Sequence, residues 1–401
     1  YDTHEAKVKI LKYRKTKVKG KEFYQIVFDK TPFYAESGGQ VGDTGTLESA
    51  DEKIIITDTQ KENNLIIHFS ETLPKNLSES FIARIDKQKR LLTMNNHTAT
   101  HLLHSALKQV LGKHVAQKGS LVNEKYLRFD FLHFVKVTDD ELAKIEALVN
   151  EKIRENISAK IEIMSLDKAK KLGAMALFEE KYGEQVRVVI FNENYSAELC
   201  GGTHVRSTGQ IGYLKITSES AVASGVRRIE ALTANEAEEY INRQIGILNR
   251  LKELLIHPKD VIKSVVQLQN QNTELSNQLK SLLREKSKFI QAELIGKIQK
   301  SNNINFIAEK IELDSPEEIK NLAYELKNKV ENLFLVIGTN INGKPNLTVM
   351  ISDILVKEKN LHAGNIIKEL AKEISGGGGG QPFYATAGGN NAEGLEKALE
   401  M

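Results

Sequence analysis

The sequence predicts an α+β protein of several domains. Three observations carry that expectation. Residues 1–90 hold short β-prone runs broken by Gly and Asn clusters. Residues 91–235 alternate helical and strand-like patterns. Residues 236–300 form a long polar segment with apolar side chains every seven positions, and a smaller α/β unit follows. The expected organisation is a small β-barrel-like part over 1–90, an α+β domain over 91–235, a helical coiled-coil linker over 236–300, and a C-terminal α/β domain with a glycine-rich loop over 301–401.

In the first part the strand signals are Ala6–Tyr13, Phe23–Phe28, Ile54–Asp58, Leu65–Phe69 and Phe81–Ile85. Between the second and third lies a loop, Thr31 to Gly45, with glycines at 38, 39, 42 and 45. Such density lets backbone approach a ligand closely, or simply makes a generous turn. In the second part Asn95 or Asn96 can cap a helix that runs to Gly112. Leu127–Phe131 reads as a strand, Thr138 to Glu141 as a capping box, and Val186–Phe191, Ile211–Thr217 and Val226–Leu232 as strands.

In the third part Val261, Leu268, Leu275, Leu282 and Phe289 recur every seven residues, with Val265 and Leu279 in the second row. That stripe needs a partner: another helix of the chain, or the same helix in a second copy, which would make a homodimer through residues 236–401. Pro258 marks a bend between helices. In the last part Leu333–Gly338 and Leu347–Ile351 are strand-like around an Asn340–Gly343 turn, and Leu361–Ile374 is helical. An unbroken run, Gly376, Gly377, Gly378, Gly379 and Gly380, follows. It reads as a flexible linker or as a backbone-lined binding loop.

Composition narrows the function. The chain has 401 residues with 56 Lys+Arg against 53 Asp+Glu, so it is no polyelectrolyte. Residues 301–401 carry 10 basic and 14 acidic side chains, a net of −4, and leave +7 on the remainder. Any nucleic-acid surface is expected as a patch within the first three hundred residues. One cysteine excludes an internal disulfide framework and suits a reduced, cytoplasmic setting. No stretch reaches the roughly 18 apolar residues of a membrane span, and no signal peptide is visible. The chain starts at Tyr1 and reads as a fragment of a longer polypeptide.

Two spaced pairs carry chemistry. His97 and His101 stand four residues apart, as do Cys200 and His204, and Cys200 is the sole cysteine. On a helix that spacing puts two side chains on one face. Imidazole and thiolate are ligands that Zn2+ prefers, and four fill its tetrahedral shell. His104 is expected to pack or hydrogen-bond on the same helix rather than to ligate. A closed four-ligand site points to a structural metal. The polar strings around it, with Thr31, Gln40, Gln117, Lys118, Ser120, Arg227 and Arg228, point to a site that acts on something.

These strings resemble the alanyl-tRNA synthetases. Thr31-Pro-Phe-Tyr-Ala-Glu-Ser-Gly-Gly-Gln-Val-Gly-Asp-Thr-Gly45 is similar to the opening motif of that family's editing domain. Asn96-His-Thr-Ala-Thr-His-Leu-Leu-His104 and Gln117-Lys-Gly-Ser120 resemble its next blocks, and Cys200-Gly-Gly-Thr-His204 and Gly225-Val-Arg-Arg-Ile-Glu-Ala-Leu-Thr233 its last. The likeness continues through the helical linker to the glycine-rich end, so it spans essentially the whole chain.

The resemblance implies the C-terminal half of such an enzyme, with the aminoacylation core, and hence ATP and Mg2+, absent from this chain. It implies hydrolysis of Ser-tRNA(Ala) and Gly-tRNA(Ala), one Zn2+ per chain on His97, His101, Cys200 and His204, and tRNA(Ala), including its mischarged forms, as the partner rather than DNA or a membrane. By the same resemblance Gln40 matches an editing-pocket residue, and Thr31 falls where a related family places a serine-sensing threonine; both are catalytic candidates. Lys118, Arg227, Arg228 and Gly376 to Gly380 are candidate tRNA contacts. A freestanding editing protein of the AlaX type and a non-catalytic, zinc-stabilised tRNA-binding or dimerisation module are the alternatives. One departure stands out. The family's last motif follows its glycines with Arg-Pro-Asp, whereas this chain has Gln381-Pro382-Phe383. Loss of that arginine removes a phosphate-pairing donor.

Overall fold

Alternating apolar and charged residues make a 14-residue strand, β1 (Glu5–Val18). Its first half pairs with β7 (Ser80–Ile85) and its second with β2 (Lys21–Phe28), a bulge between Ile10 and Lys12 marking the change of partner. With β3 (Gly45–Glu48), β4 (Lys53–Ile56), β5 (Asp58–Glu62) and β6 (Leu65–Ser70) they form one antiparallel sheet in the order β4-β3-β7-β1-β2-β6-β5. The expected barrel is corrected here: the sheet is not closed, and β4 and β5 stand at its two ends. Thr57 alone separates those strands, and its N–H donates to the Phe69 carbonyl at 2.8 Å, so the sheet curls over its own core of Val8, Ile26, Phe33, Leu47, Ile56 and Phe81. Strand β3 went unread in the sequence, because it opens on Gly45 at the end of the glycine-rich loop. Asn63 and Asn64, both at positive φ, make the β5–β6 turn.

This computed structural model describes residues 3–18, 20–174, 184–313 and 315–401; Tyr1 lies outside them. Two compact units divide the chain, Tyr1–Glu253 and Leu254–Met401.

The first unit continues into α1 (Lys87–Leu111), whose middle, Asn95 to Leu107, is almost wholly buried. Asp86 caps it by accepting from the Lys89 N–H, so the helix starts two turns earlier than Asn95. His97 and His101 therefore sit at mid-helix rather than in its opening turns. The polar run Lys87–Arg90 lacks the apolar onset that would have marked the start. Around α1 pack β8 (Gln117–Val122), β9 (Leu127–Leu132), α2 (Asp139–Arg154), β10 (Lys160–Ser165), α3 (Leu166–Lys171), β11 (Gln185–Phe191), β12 (Ser196–Leu199), a 3-10 turn (Thr208–Ile211), β13 (Leu214–Ala223) and β14 (Val226–Thr233). Two antiparallel sheets result, β13-β14-β9-β8 and β10-β11-β12. The capping box at Thr138 and Glu141 is present as read, with both reciprocal hydrogen bonds. The main core runs through Leu102, Leu103, Leu107, Phe129, Phe131 and Phe191. Helix α4 (Ala234–Leu254) ends at the boundary between the units.

The second unit opens on α5 (Val261–Gly296), a 36-residue helix capped by Asp260. Its heptad stripe is not covered: Leu268, Leu275, Leu282 and Phe289 are all exposed. There follow β15 (Gln299–Ser301), β16 (Ile304–Lys310), α6 (Pro316–Lys329), β17 (Leu333–Ile341), β18 (Lys344–Ile351), α7 (Asp353–Glu358), α8 (Ala363–Glu373), β19 (Gly377–Gly380), β20 (Tyr384–Gly388) and α9 (Gly394–Glu400). One sheet, β15-β16-β17-β18-β20-β19, organises them, with β16 and β17 parallel and the other pairs antiparallel. The glycine run is thus neither linker nor loop. Gly377 to Gly380 form the terminal strand of this sheet, paired with β20. Among the described residues no helix is long and apolar enough to cross a membrane.

Candidate metal centre

Helical periodicity brings His97 and His101 onto one face of α1, and the chain after β12 brings Cys200 and His204 against them. The four ligand atoms lie within 4.8 Å of one another. Cys200 Sγ is 3.4 Å from His97 Nε2 and 3.3 Å from His204 Nε2. The three imidazoles crowd together, with ring centroids 4.5 to 5.3 Å apart. Cys200 and His204 are not on a helix; a turn brings them together. Arg187 shapes that turn by donating to the carbonyls of Cys200 and Gly202 at 2.7 and 2.9 Å. Gly202 is the residue that permits it. A Cβ there would stand 2.0 Å from His97 Cε1 and 2.9 Å from Gln40 Oε1.

Burial acts against charge here, and the cluster resists it by mutual attraction. Burial alone would hold Cys200 as a thiol, but His97, His204 and His101 keep its pKa well below the ordinary value. Burial would also neutralise His101, yet Glu198 and Cys200 raise it to about 9. Burial prevails at His204, which falls to about 3. A half-buried thiolate among three buried imidazoles is the donor set of a tetrahedral Zn2+ site, so the residues present fit that ion.

Gln40 belongs to this centre, 57 positions before His97 in sequence. It is fully buried. The loop that carries it is pinned to β8, with Val41 N–H donating to the Val122 carbonyl at 3.0 Å and Val122 N–H to the Gly39 carbonyl at 2.7 Å. Behind the loop, Asp43 and Arg90 of α1 form a buried ion pair, and Arg90 also donates to the Pro32 carbonyl. Removing one member of such a pair costs about 3–5 kcal/mol. Gln40 Oε1 accepts from the Thr203 N–H at 2.9 Å and stands 2.7 Å from His97 Nδ1. It sits behind His97, shielded from solvent.

The other candidates lie elsewhere. Thr31 is bonded to His68 Nε2 of β6 at 2.8 Å and accepts from the Phe33 N–H at 3.1 Å, in the loop against the curled sheet rather than among the four ligands. Arg227 grips Glu219 and Arg228 grips Asp130, each through two nitrogens, so the first guanidinium ties β14 to β13 and the second ties β14 to β9. Lys118 is exposed on β8. Glu198 and Thr98, unread in the sequence, each face a histidine of the cluster. The available signals were positional: Thr98 adjoins His97, and Glu198 lies two residues before Cys200, near the end of β12.

Comparison with known proteins places the chain. Family models match in three stretches: "tRNA synthetases class II (A)" over residues 1–89, "Threonyl and Alanyl tRNA synthetase second additional domain" over 186–230, and "DHHA1 domain" over 303–401. An alanine–tRNA ligase of Cytophaga hutchinsonii is 56% identical over 400 residues, covering 100% of this chain and 46% of that protein. One from Christiangramia forsetii is 49% identical over 403 residues, with the same coverage. The chain belongs to the alanine–tRNA ligase family. It spans about half the length of these relatives, 46%. A crystal structure of the C-Ala domain of Aquifex aeolicus alanyl-tRNA synthetase matches 26% of this chain and 92% of that one, at 25% identity and a TM-score of 0.24. The stretch matched at 186–230 lies wholly within the described residues and contains Cys200 and His204.

Proposed function

We propose that this chain is an editing and tRNA-binding portion of an alanine–tRNA ligase, a zinc-dependent deacylase that hydrolyses Ser-tRNA(Ala) and Gly-tRNA(Ala). The observation that carries the reading is the convergence of His97, His101, Cys200 and His204 from two segments about a hundred residues apart. Chemistry supplies the need for such an activity. A pocket that binds alanine rejects a smaller or hydroxyl-bearing neighbour only weakly, because one methyl or one hydroxyl contributes about 1–3 kcal/mol of discrimination.

The reaction is ester hydrolysis: water adds to the aminoacyl carbonyl, and the terminal ribose oxygen leaves with a proton. Zn2+ held by the four residues would supply a Lewis acid that orients and polarises the ester or its ribose. The chain's own part is positional. Arg187 holds the Cys200 turn, Gln40 holds His97, and the Asp43–Arg90 pair anchors the loop that carries Gln40 to the helix that carries the histidines. Lys118, exposed on β8, is a basic group offered to the tRNA backbone in this unit. The partner is tRNA(Ala) in its mischarged forms.

A second reading has an observation of its own. Four protein ligands leave a tetrahedral ion no open position, which is the pattern of a structural site. The chain would then be a zinc-stabilised tRNA-binding module. Incubation of the full chain with Ser-tRNA(Ala), Gly-tRNA(Ala) and Ala-tRNA(Ala), with and without a chelator, separates the two. The deacylase hydrolyses the first two faster than the third and loses that activity on chelation and in Cys200→Ala. Equal, chelator-independent decay of all three would leave the structural reading.

A further inference from the structure

Each histidine of the cluster has a different oxygen behind it. His97 Nδ1 faces Gln40 Oε1 at 2.7 Å, His204 Nδ1 faces Thr98 Oγ1 at 3.1 Å, and His101 Nδ1 faces Glu198 Oε2 at 3.5 Å. The first contact settles its own chemistry. Gln40 Oε1 also receives the Thr203 N–H, and its amide nitrogen donates to Thr203 Oγ1, so the oxygen must be the atom turned toward His97. An oxygen acceptor there requires the proton on His97 Nδ1 and leaves the Nε2 lone pair for the metal. The Thr98 hydroxyl accepts from the Val205 N–H at 3.2 Å and has a second lone pair for His204 Nδ1, while His204 Nε2 is the nitrogen that faces Cys200 Sγ at 3.3 Å.

Glu198 is the partner that neither the motifs nor the family models single out. Its carboxylate is buried on β12, and its other oxygen accepts from His104 Nδ1 at 3.0 Å. The Glu198–His101 separation is an ion-pair distance and long for a hydrogen bond, and His101 Nδ1 has no hydrogen-bond partner within normal reach. A buried N–H without an acceptor is costly, and the carboxylate beside it is the group placed to receive it. His104 stands seven residues after His97 on the same helix face, and its Nε2 is also buried without a partner.

We infer that Glu198, braced by His104, is a positioning residue for His101, and that with Gln40 and Thr98 it directs all three imidazoles to the metal through Nε2. This rests on the zinc reading above and adds to it the outer contacts and the tautomer of each ligand. Such outer partners fix ring orientation and raise ligand basicity, and their loss weakens metal binding by about 10- to 100-fold.

The test uses the full chain loaded with Zn2+. Long-range nitrogen–proton spectra of 15N-histidine protein should show His97, His101 and His204 each protonated at Nδ1 and metal-bound at Nε2. Zinc affinity, measured by competition with a chromogenic chelator, should fall by about 10- to 100-fold in Glu198→Leu, where His101 Nδ1 keeps no acceptor. Glu198→Gln should recover most of that loss. Its single oxygen can serve His101, while His104 moves its proton to the unpartnered Nε2. Ligation of any of the three through Nδ1, or a Glu198→Leu chain that binds zinc as tightly as wild type, would overturn the inference. The spectra of the wild-type chain decide the point even if Glu198→Leu does not fold. A wild-type chain that holds no zinc would instead remove the metal reading beneath it, so the two failures are distinct.

Discussion

Thr31 and His68 form a pair whose chemistry is fixed by a third group. His68 Nδ1 faces the Ile26 carbonyl at 3.1 Å, which can only accept, so that nitrogen carries the proton and Nε2 must accept from the Thr31 hydroxyl. Thr31→Val would leave a buried nitrogen without its donor, at about 1–3 kcal/mol. Hydrogen exchange at the β2 and β6 amides should register that loss, while zinc content stays unchanged; a variant as protected as wild type would show that Thr31 faces substrate instead. Burial lowers the His68 pKa from 6.5 to about 4. Between those values the unfolded chain binds a proton that the folded chain does not. Stability from this group is therefore complete above pH 6.5 and declines as pH falls toward 4, by up to about 3 kcal/mol. Denaturant unfolding of the curled sheet, followed from pH 7 to pH 4, should show a shallower decline in His68→Gln. A slope identical in both proteins would exclude His68 as its source. The four ligands themselves were legible because their spacing is local. Gln40, Glu198 and Thr98 as their partners were not, because hydrogen bonds between distant segments leave no periodicity in the chain.

At the scale of elements, the strongest apolar or alternating runs were readable: β1, β2, β6, β7, β9, β11, β14, β17 and β18 all contain the expected residues. Errors fell where side chains say little. Asp86 caps a helix whose first turn is Lys-Gln-Lys-Arg, so the start of α1 went unseen. Gly376 to Gly380 carry no side-chain pattern at all, and only pairing with β20 makes a strand of them. That pairing separates glycines that are needed from those that are not. A Cβ on Gly378 would stand 2.4 Å from both Ala387 Cβ and the Thr386 carbonyl oxygen, whereas one on Gly379 meets nothing within 4 Å. Gly378→Ala should therefore destabilise the second unit by about 1–3 kcal/mol. Gly379→Ala should be neutral or stabilising by about 0.4–1 kcal/mol. Thermal melts of the two variants check this, and equal melting temperatures would mean that β19 is not held against β20 in solution. Gln381 and Phe383, where the resemblance leads one to expect arginine and aspartate, lie in the β19–β20 turn, where Lys327 Nζ sits 4.7 Å from the Phe383 ring. The positive charge in this corner is thus Lys327, on a different element.

For the molecule as a whole, the apolar stripe of α5 reads as a surface to be buried, yet among the described residues it stays exposed. Leu275 is 65% exposed, Leu282 63% and Phe289 71%. A second copy of α5 is the partner that the heptad register suits. The full chain should then dimerise in sedimentation, and Leu275→Glu with Leu282→Glu should return it to a monomer; a wild-type chain that is monomeric at all concentrations would leave the stripe to some other helix. The cores lead to a last expectation. The clusters around Phe129, Phe81 and Val188 draw only on residues before Glu253, and those around Leu335 and Val349 only on residues after it. Every ligand of the metal centre lies in the first unit. Ending the chain at Glu253 should preserve one zinc per chain and the melting transition of the first unit. It should weaken binding of tRNA(Ala), because an exposed terminal strand of glycines and the second unit's polar surface are removed. Phosphate contacts are salt-dependent, so the comparison must be made at matched ionic strength. Zinc lost on truncation would show that the first unit does not fold alone. Unchanged tRNA affinity would reduce residues 254–401 to association of copies, which the glutamate variants of α5 would then report independently.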